Sequence, residues 1–360
     1  MNLHQQRCAA AQAAMPRQGI DVMLVSPSSD LVYLIGHHTH VSERLTLFML
    51  PAAGEAVMLA PELEAPLARH LATFFSLHTW ADGSDPYVAV RSLMPGSGKT
   101  IAVSDQLWSL HLLSLQATLP QATFVPASRI LAPLRRVKDG AELAVLRRAA
   151  AAADAAMADV LAAPLVGRTE RETAQFVADR LIAHGHERVD FAIVGSGPNS
   201  GSPHHVTGGR LIEEGDALVL DFGGVIDDYF SDITRSVFFG KPPDAYRLIY
   251  ETVRAAQETA FQAVRPGVAC QDIDRAARGV ISAAGYGEYF VHRTGHGLGL
   301  DVHEEPYMVE GNRMPLQPGM VFSIEPGIYL PGRFGVRIED IVVVTESGTE
   351  RLNNSPRELR

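Results

Sequence analysis

The sequence predicts an α+β molecule in two parts. Residues 1–130 form a small α/β domain, and residues 131–360 form two look-alike halves, each a β-hairpin covered by helices. Three observations carry this. Short apolar runs alternate with helical stretches in the first part; two glycine-bounded, β-branched hairpin segments recur in the second; and long helical segments separate them.

In the first part DVMLVS, LTLFMLP, AVMLAP, TIAVSD and TFVPAS have the length and apolar content of strands, while PELEAPLARHLA and LWSLHLLSLQATLP have helical spacing. The N-terminal MNLHQQRCAAAQAAM lacks the clean apolar centre of a signal peptide, and its alternation of Ala with Gln and Arg suits a short amphipathic helix. A long Ala-rich helix is expected from near Lys138, its Ala run at 149–153 read as close helix packing. GRTERETAQFVADRLIAHG follows as a second helix, opened by a capping box from Thr169 and Glu172. PPDAYRLIYETVRAAQETAFQAV and QDIDRAARGVISAAG read as two more, after the first hairpin. GSGPNSGSPHH lacks the Lys and helix of a phosphate loop and reads as the loop leading to His204.

The first hairpin is GDALVLDFGGVIDDYFSDITRSVFFG. With Ile226 and Asp227 as its central turn residues, Asp221 and Asp232 face each other across the strands, with Cβ atoms about 4.5 to 5.5 Å apart. Like charges held there call for a compensating cation. The second is PGMVFSIEPGIYLPGRFGVRIEDIVVVTESG; with its loop centred on Gly332, Glu325 faces Glu339. Gly215 and Gly223 flank Asp221 as Gly319 and Gly327 flank Glu325, which suggests an internal duplication. A lone Asp in a hairpin is ordinarily a turn or surface residue, and Glu339 beside Asp340 can be a solvated strand end. Asp221 and Glu325, however, interrupt strongly apolar strands, which is costly for an ionised group without a partner. Two facing carboxylate pairs, with His296 as the single nitrogen donor, suit two hard or borderline divalent cations: manganese first, with cobalt or zinc as alternatives.

The strings LVLDFGG, YFSDITRS, TGHGLGLDVHEEP, FSIEPGIY and GVRIED, in this order, resemble the successive motifs of the pita-bread metallohydrolases, the group of methionine aminopeptidase, aminopeptidase P and prolidase, with creatinase as a metal-free relative. RILAPLRRVKDGAELAVLRRA resembles the junction preceding the catalytic domain in aminopeptidase P and prolidase. The resemblance implies a pita-bread catalytic domain behind a creatinase-like N-terminal domain, and metal-dependent cleavage of the bond before proline. It makes Asp221, Asp232, His296, Glu325 and Glu339 the metal ligands, with Asp232 and Glu339 bridging both ions. His204, rather than His205, matches the histidine beside the substrate, His303 the second active-site histidine, and Arg337 an arginine that holds ligand carboxylates. Glu325 is the expected base. Arg235 has the plainer reading of a salt-bridging strand residue.

Prolidases of this group commonly place an arginine for the dipeptide's carboxylate directly after HExP, where this chain has Tyr307. The substitutes are Arg333 in the second hairpin loop, or Arg44, His37 and His38 in the first part, which in related enzymes reach a neighbouring subunit's active site. The expected activity is therefore an Xaa-Pro dipeptidase acting as a homodimer on small proline-containing peptides. The alternatives are an aminopeptidase P on longer peptides, a creatinase-like amidinohydrolase, and a non-catalytic peptide-binding module; retention of all five ligands speaks against the last two.

Composition adds limits. A net charge of −10 without a basic stripe argues against nucleic acid, no apolar run reaches the roughly 18 residues of a membrane span, and only Cys8 and Cys270 are present, which favours a reducing, cytoplasmic compartment.

Overall fold

The computed structural model describes residues 2–96 and 99–359; Met1, quoted above at the head of the first helix, lies outside them. The chain divides into two compact units, Met1–Arg135 and Arg136–Arg360.

The first unit runs α1 (Leu3–Ala14), β1 (Val22–Val25), α2 (Ser29–Ile35), β2 (Leu47–Pro51), β3 (Ala56–Pro61), α3 (Ala65–Arg69), β4 (Phe75–Trp80), α4 (Pro86–Leu93), β5 (Thr100–Val103), α5 (Ser109–Thr118), β6 (Thr123–Pro126) and α6 (Ser128–Arg136). Its six strands make one mixed sheet, β4-β3-β2-β1-β5-β6. The five expected strands are all present. The sixth, β4, has the sequence FSLHTW; it is an edge strand with mostly half-buried or exposed positions, so it lacks the apolar run that marks its neighbours.

The second unit runs α7 (Gly140–Ala162), α8 (Glu170–Ala183), β7 (Arg188–Ser196), β8 (Ala217–Ile226), β9 (Tyr229–Phe230), β10 (Ile233–Phe238), α9 (Asp244–Ala263), α10 (Cys270–Ala283), β11 (Gly295–Gly297), β12 (Glu304–Met308), β13 (Val321–Ile324), β14 (Gly327–Leu330), β15 (Phe334–Arg337), β16 (Asp340–Val344) and β17 (Thr349–Arg351). Capping boxes open both helices of the first half, from Asp139 with Glu142 and from Thr169 with Glu172. Each half has its own core. Val160, Val177 and Leu181 of α7 and α8 pack on Leu218, Leu220 and Phe222 of β8. Tyr250, Val253, Ile273 and Ala277 of α9 and α10 pack with Phe322, Ile324 and Val342 of the second hairpin. The result is the expected α+β arrangement of two hairpin-and-helix halves.

The duplication is visible bond by bond. Where α8 begins, Gly167 N donates to Ile212 O, Glu170 N to Arg210 O and Arg171 N to Gly208 O; where α10 begins, Gly267 N donates to Leu316 O, Cys270 N to Met314 O and Gln271 N to Asn312 O. The halves meet through the backbone bridge between Thr234 and Glu339. No helix among the described residues is long and apolar enough to cross a membrane.

The second hairpin has the expected register: Gly327 pairs with Arg337 and Ile324 with Asp340, so Glu325 and Glu339 stand opposite one another between them. The first does not. Asp221 pairs with Thr234 and Ile226 with Tyr229, which puts Asp227 and Asp228, not Ile226 and Asp227, at the centre of the turn. Both turn residues have positive φ, 44° and 72°. Such a turn needs the left-handed region twice, which Asp tolerates and β-branched Ile does not. Asp221 and Asp232 are therefore diagonal rather than direct neighbours, although a shift of this kind keeps both on one face.

Candidate active site

Where the halves meet lies a cavity of 430 Å³ lined by acidic, basic and apolar side chains. Asp221 enters it from the continuous strand β8, while the other three carboxylates sit where strand pairing breaks: Asp232 between β9 and β10, Glu325 between β13 and β14, Glu339 between β15 and β16. Their backbones are still tied down, Glu325 N donating to Thr294 O at 2.8 Å and Glu339 N to Thr234 O at 3.1 Å. Arg235 does not line the cavity. It is buried in the seam, donating to Asp340 Oδ1, to the carbonyls of Ser355 and Pro356, and to Glu339 O at 2.6 Å.

His296 lies on β11 with its Nε2 3.2 Å from Glu325 Oε1 and 3.7 Å from Asp232 Oδ2. Its Nδ1 is 3.2 Å from Gly297 O, a contact that orients the ring so that Nε2 faces the carboxylates. Ser323 Oγ donates to Glu325 Oε1 at 3.1 Å. Arg337 is buried and spends its guanidinium on the site's own framework: Asp221 Oδ2 at 2.6 Å, Thr234 Oγ1 at 3.1 Å, Tyr329 Oη at 2.8 Å and Pro203 O at 3.3 Å. Thr234 Oγ1 in turn donates to Glu339 Oε2 at 2.7 Å.

Four carboxylates around one imidazole cannot all stay charged and dry at no cost. Burial first, then the negative charges of Glu339, Asp221 and Glu325, push Asp232 well above the usual carboxylate range; burial and the charges of Glu325 and Asp221 do the same to Glu339. Burial acts upward on Glu325 as well, but the hydrogen bond and charge of His296 outweigh it and hold this carboxyl at about 2. A divalent cation inverts such a balance by stabilising every ionised form at once. The residues fit one. Asp221 Oδ1, Asp232 Oδ1 and Glu339 Oε1 are buried yet have no hydrogen-bond partner, and Asp232, His296 and Glu339 each offer a ligand atom, all lying within 4.8 Å of one another. Oxygen-rich donors with one imidazole nitrogen suit borderline and hard divalent ions.

The remaining expected residues divide. His204 and His303 line the cavity. The His303 ring stands edge-on to that of His296, 4.0 Å between centroids, and burial together with His296 and Arg293 lowers its pKa to about 4, so it is neutral at pH 7. His205 turns away, its Nε2 donating to Glu170 Oε2 at 2.8 Å. Tyr307 and Arg333 are not among the lining residues: Tyr307 pairs with His296 in the β11–β12 ladder and carries the Arg293 guanidinium over its ring at 4.4 Å, and exposed Arg333 lies over Phe334. In the first unit Arg44 donates to both carboxylate oxygens of Asp82, at 3.1 and 3.0 Å, and to Glu43 at 3.0 Å; His37 is buried, its pKa lowered by burial and then by the neighbouring His38 and His70.

Sequence reasoning missed several lining residues. Phe191 and Ile193 come from β7, where their two-residue spacing was the available signal; His292 and Arg293 directly precede the Thr294-Gly295-His296 run, and Val302 directly precedes His303. Phe191, Ile193, Pro203 and Val302 give the cavity an apolar component beside the charged cluster.

Residues 144–346 match the model of metallopeptidase family M24, and residues 7–137 that of the creatinase/prolidase N-terminal domain. The chain is 46% identical over 361 residues to a probable dipeptidase PepE of Mycobacterium tuberculosis, covering 99% of this chain and 96% of the relative. It is 34% identical over 357 residues to an Xaa-Pro dipeptidase of Lactobacillus delbrueckii subsp. lactis, covering 96% of each. Among solved structures, a recombinant prolidase from Thermococcus sibiricus superimposes with a TM-score of 0.95 at 38% identity, covering 100% of this chain and 99% of that one.

Proposed function

Because the chain belongs to metallopeptidase family M24 and carries the creatinase/prolidase N-terminal domain, we propose that it is a dinuclear metal-dependent Xaa-Pro dipeptidase, with Asp221, Asp232, His296, Glu325 and Glu339 as ligands. The observation that carries this is the set of three buried carboxylate oxygens without a hydrogen-bond partner, opening on one cavity with an apolar wall.

Bound divalent cations supply Lewis acidity and a lowered pKa for water. The chain's own residues do the rest. Glu325, ionised at neutral pH, takes the proton of the attacking water on a carboxylate oxygen and returns it to the leaving nitrogen. His303, neutral at pH 7, donates an N–H to the carbonyl oxygen as charge develops there, and His204 holds the substrate backbone. Arg337 keeps Asp221 in place and, through Thr234, Glu339. An Xaa-Pro bond has no N–H for a peptidase to grip, so an apolar wall that accepts the pyrrolidine ring is the alternative handle.

Manganese is the proposed metal, on the strength of the oxygen-rich donor set. A cytoplasmic location is supported by two buried, free cysteines, and a homodimer by apolar surface on the first unit, where Val88 of α4 and Leu110 and Leu113 of α5 are exposed. The decisive test is a comparison of rates on Xaa-Pro dipeptides and on Xaa-Pro tripeptides in manganese. Faster cleavage of dipeptides is expected; faster cleavage of tripeptides would make the enzyme an aminopeptidase.

A further inference from the structure

Glu170, the first residue of α8, has its side chain wholly out of solvent. Its Oε1 accepts from Ser196 N and Ser196 Oγ at 2.8 Å each and from Asn199 Nδ2 at 2.9 Å; its Oε2 accepts from His205 Nε2 at 2.8 Å and Gly208 N at 3.1 Å. These donors belong to the end of β7, to the tight turn Gly197–Gly201, and to the loop that carries His204 and His205. On its other flank that loop is held by Arg337, which donates to Pro203 O. His204 stands between the two anchors and faces the cavity.

The second half shows how much of this is architecture. The backbone bonds that dock the start of α8 on residues 208–212 recur at the start of α10 on residues 312–316, and the residue in the place of Glu170 is Cys270, buried and uncharged. Docking the helix thus needs no carboxylate. A buried anion is costly unless its oxygens are satisfied, and here five donors converge on it: two from the histidine loop, two from Ser196 and one from Asn199 in the turn between them.

We propose that Glu170 is a positioning residue for peptide hydrolysis: by clamping His205 and Gly208 it fixes the loop so that the adjacent His204 is presented to the substrate. This rests on His204 contacting substrate, as proposed above. A misplacement of about 1 Å in such a group lowers turnover on the order of a hundred-fold, so a clamp of this kind is visible in kinetics.

The test is a double-mutant cycle on the manganese-loaded enzyme with a saturating Xaa-Pro dipeptide. Glu170→Gln is expected to lower kcat on the order of ten- to hundred-fold with metal content at the wild-type level, and to cost nothing further in a His204→Ala background. A double variant whose loss is the product of the two single losses would overturn the proposal, since Glu170 would then act elsewhere. Wild-type turnover in His204→Ala alone would instead overturn the role of His204. Should Glu170→Gln fail to fold, His205→Gln, which keeps an N–H for the carboxylate, is expected to retain the turnover that His205→Leu loses; equal rates in these two would contradict the clamp.

Discussion

The second hairpin turns through Pro331, Gly332 and Arg333, and its two carboxylates, Glu325 and Glu339, face each other across it; the first turns through Asp227 and Asp228, and its carboxylates sit diagonally, Asp221 opposite Thr234 rather than Asp232. The missing direct partner is put to use. Thr234 takes the place opposite Asp221 and reaches across the seam to Glu339, so that one hydroxyl, together with Arg337, ties a carboxylate of each half into one frame. Duplication supplies two pairs of acids, and it is the departure from symmetry that joins them.

If Asp232 and Glu339 are shared between both ions, removing either should collapse the whole centre rather than half of it. Asp232→Ala and Glu339→Ala are each expected to lower kcat/KM by roughly 10³-fold or more and to empty both metal positions, read by dipeptide hydrolysis and metal analysis. A variant that keeps one ion and substantial turnover would make the halves independent.

Arg337→Lys tests the frame across the seam. A lysine keeps the charge but cannot reach Asp221, Thr234 and Tyr329 together, so activity or metal affinity should fall on the order of 10- to 100-fold. An unchanged metal titration and rate would show that Thr234 and Asp221 need no common anchor.

The contrast between Glu170 and Cys270 has a signature in acid. Burial alone would raise the Glu170 carboxyl, but hydrogen bonds from Asn199, His205 and Ser196 prevail and lower it below its ordinary 4.5. A depressed folded pKa gives stability that is complete above the unfolded value and lost as pH falls through the folded one. Urea unfolding should therefore show Glu170→Gln destabilised by about 1–3 kcal/mol near pH 7, with the gap to wild type closing below about pH 4.5. A gap that widened in acid would reverse the assignment.

The smallest effect is expected at the turn of the first hairpin. Replacing Asp227-Asp228 by Asn-Gly suits two left-handed positions better and should stabilise the protein by about 0.5–1 kcal/mol in thermal unfolding, with activity unchanged.

The same hairpins mark what could be read from the chain. The register of the second was legible because Gly332, at φ 71°, occupies a position that favours glycine. In the first, Ile-Asp-Asp offered two turn centres, and only the demand for two left-handed residues selects between them. Asp221, Asp232, His296, Glu325 and Glu339 stood out because each interrupts or borders an apolar strand or a glycine-rich run. Phe191, Ile193 and Val302 did not, since an apolar residue on a strand has the same local pattern whether it faces a core or a cavity. His204 and His205 were separable only by what surrounds them, Glu170 capturing the second and leaving the first to the site.

The central claim is that the acidic groups of both halves together hold a pair of cations. Metal analysis of the protein after loading with manganese and exhaustive dialysis tests it most directly: two ions per chain are predicted, and a protein that retains none would contradict the account.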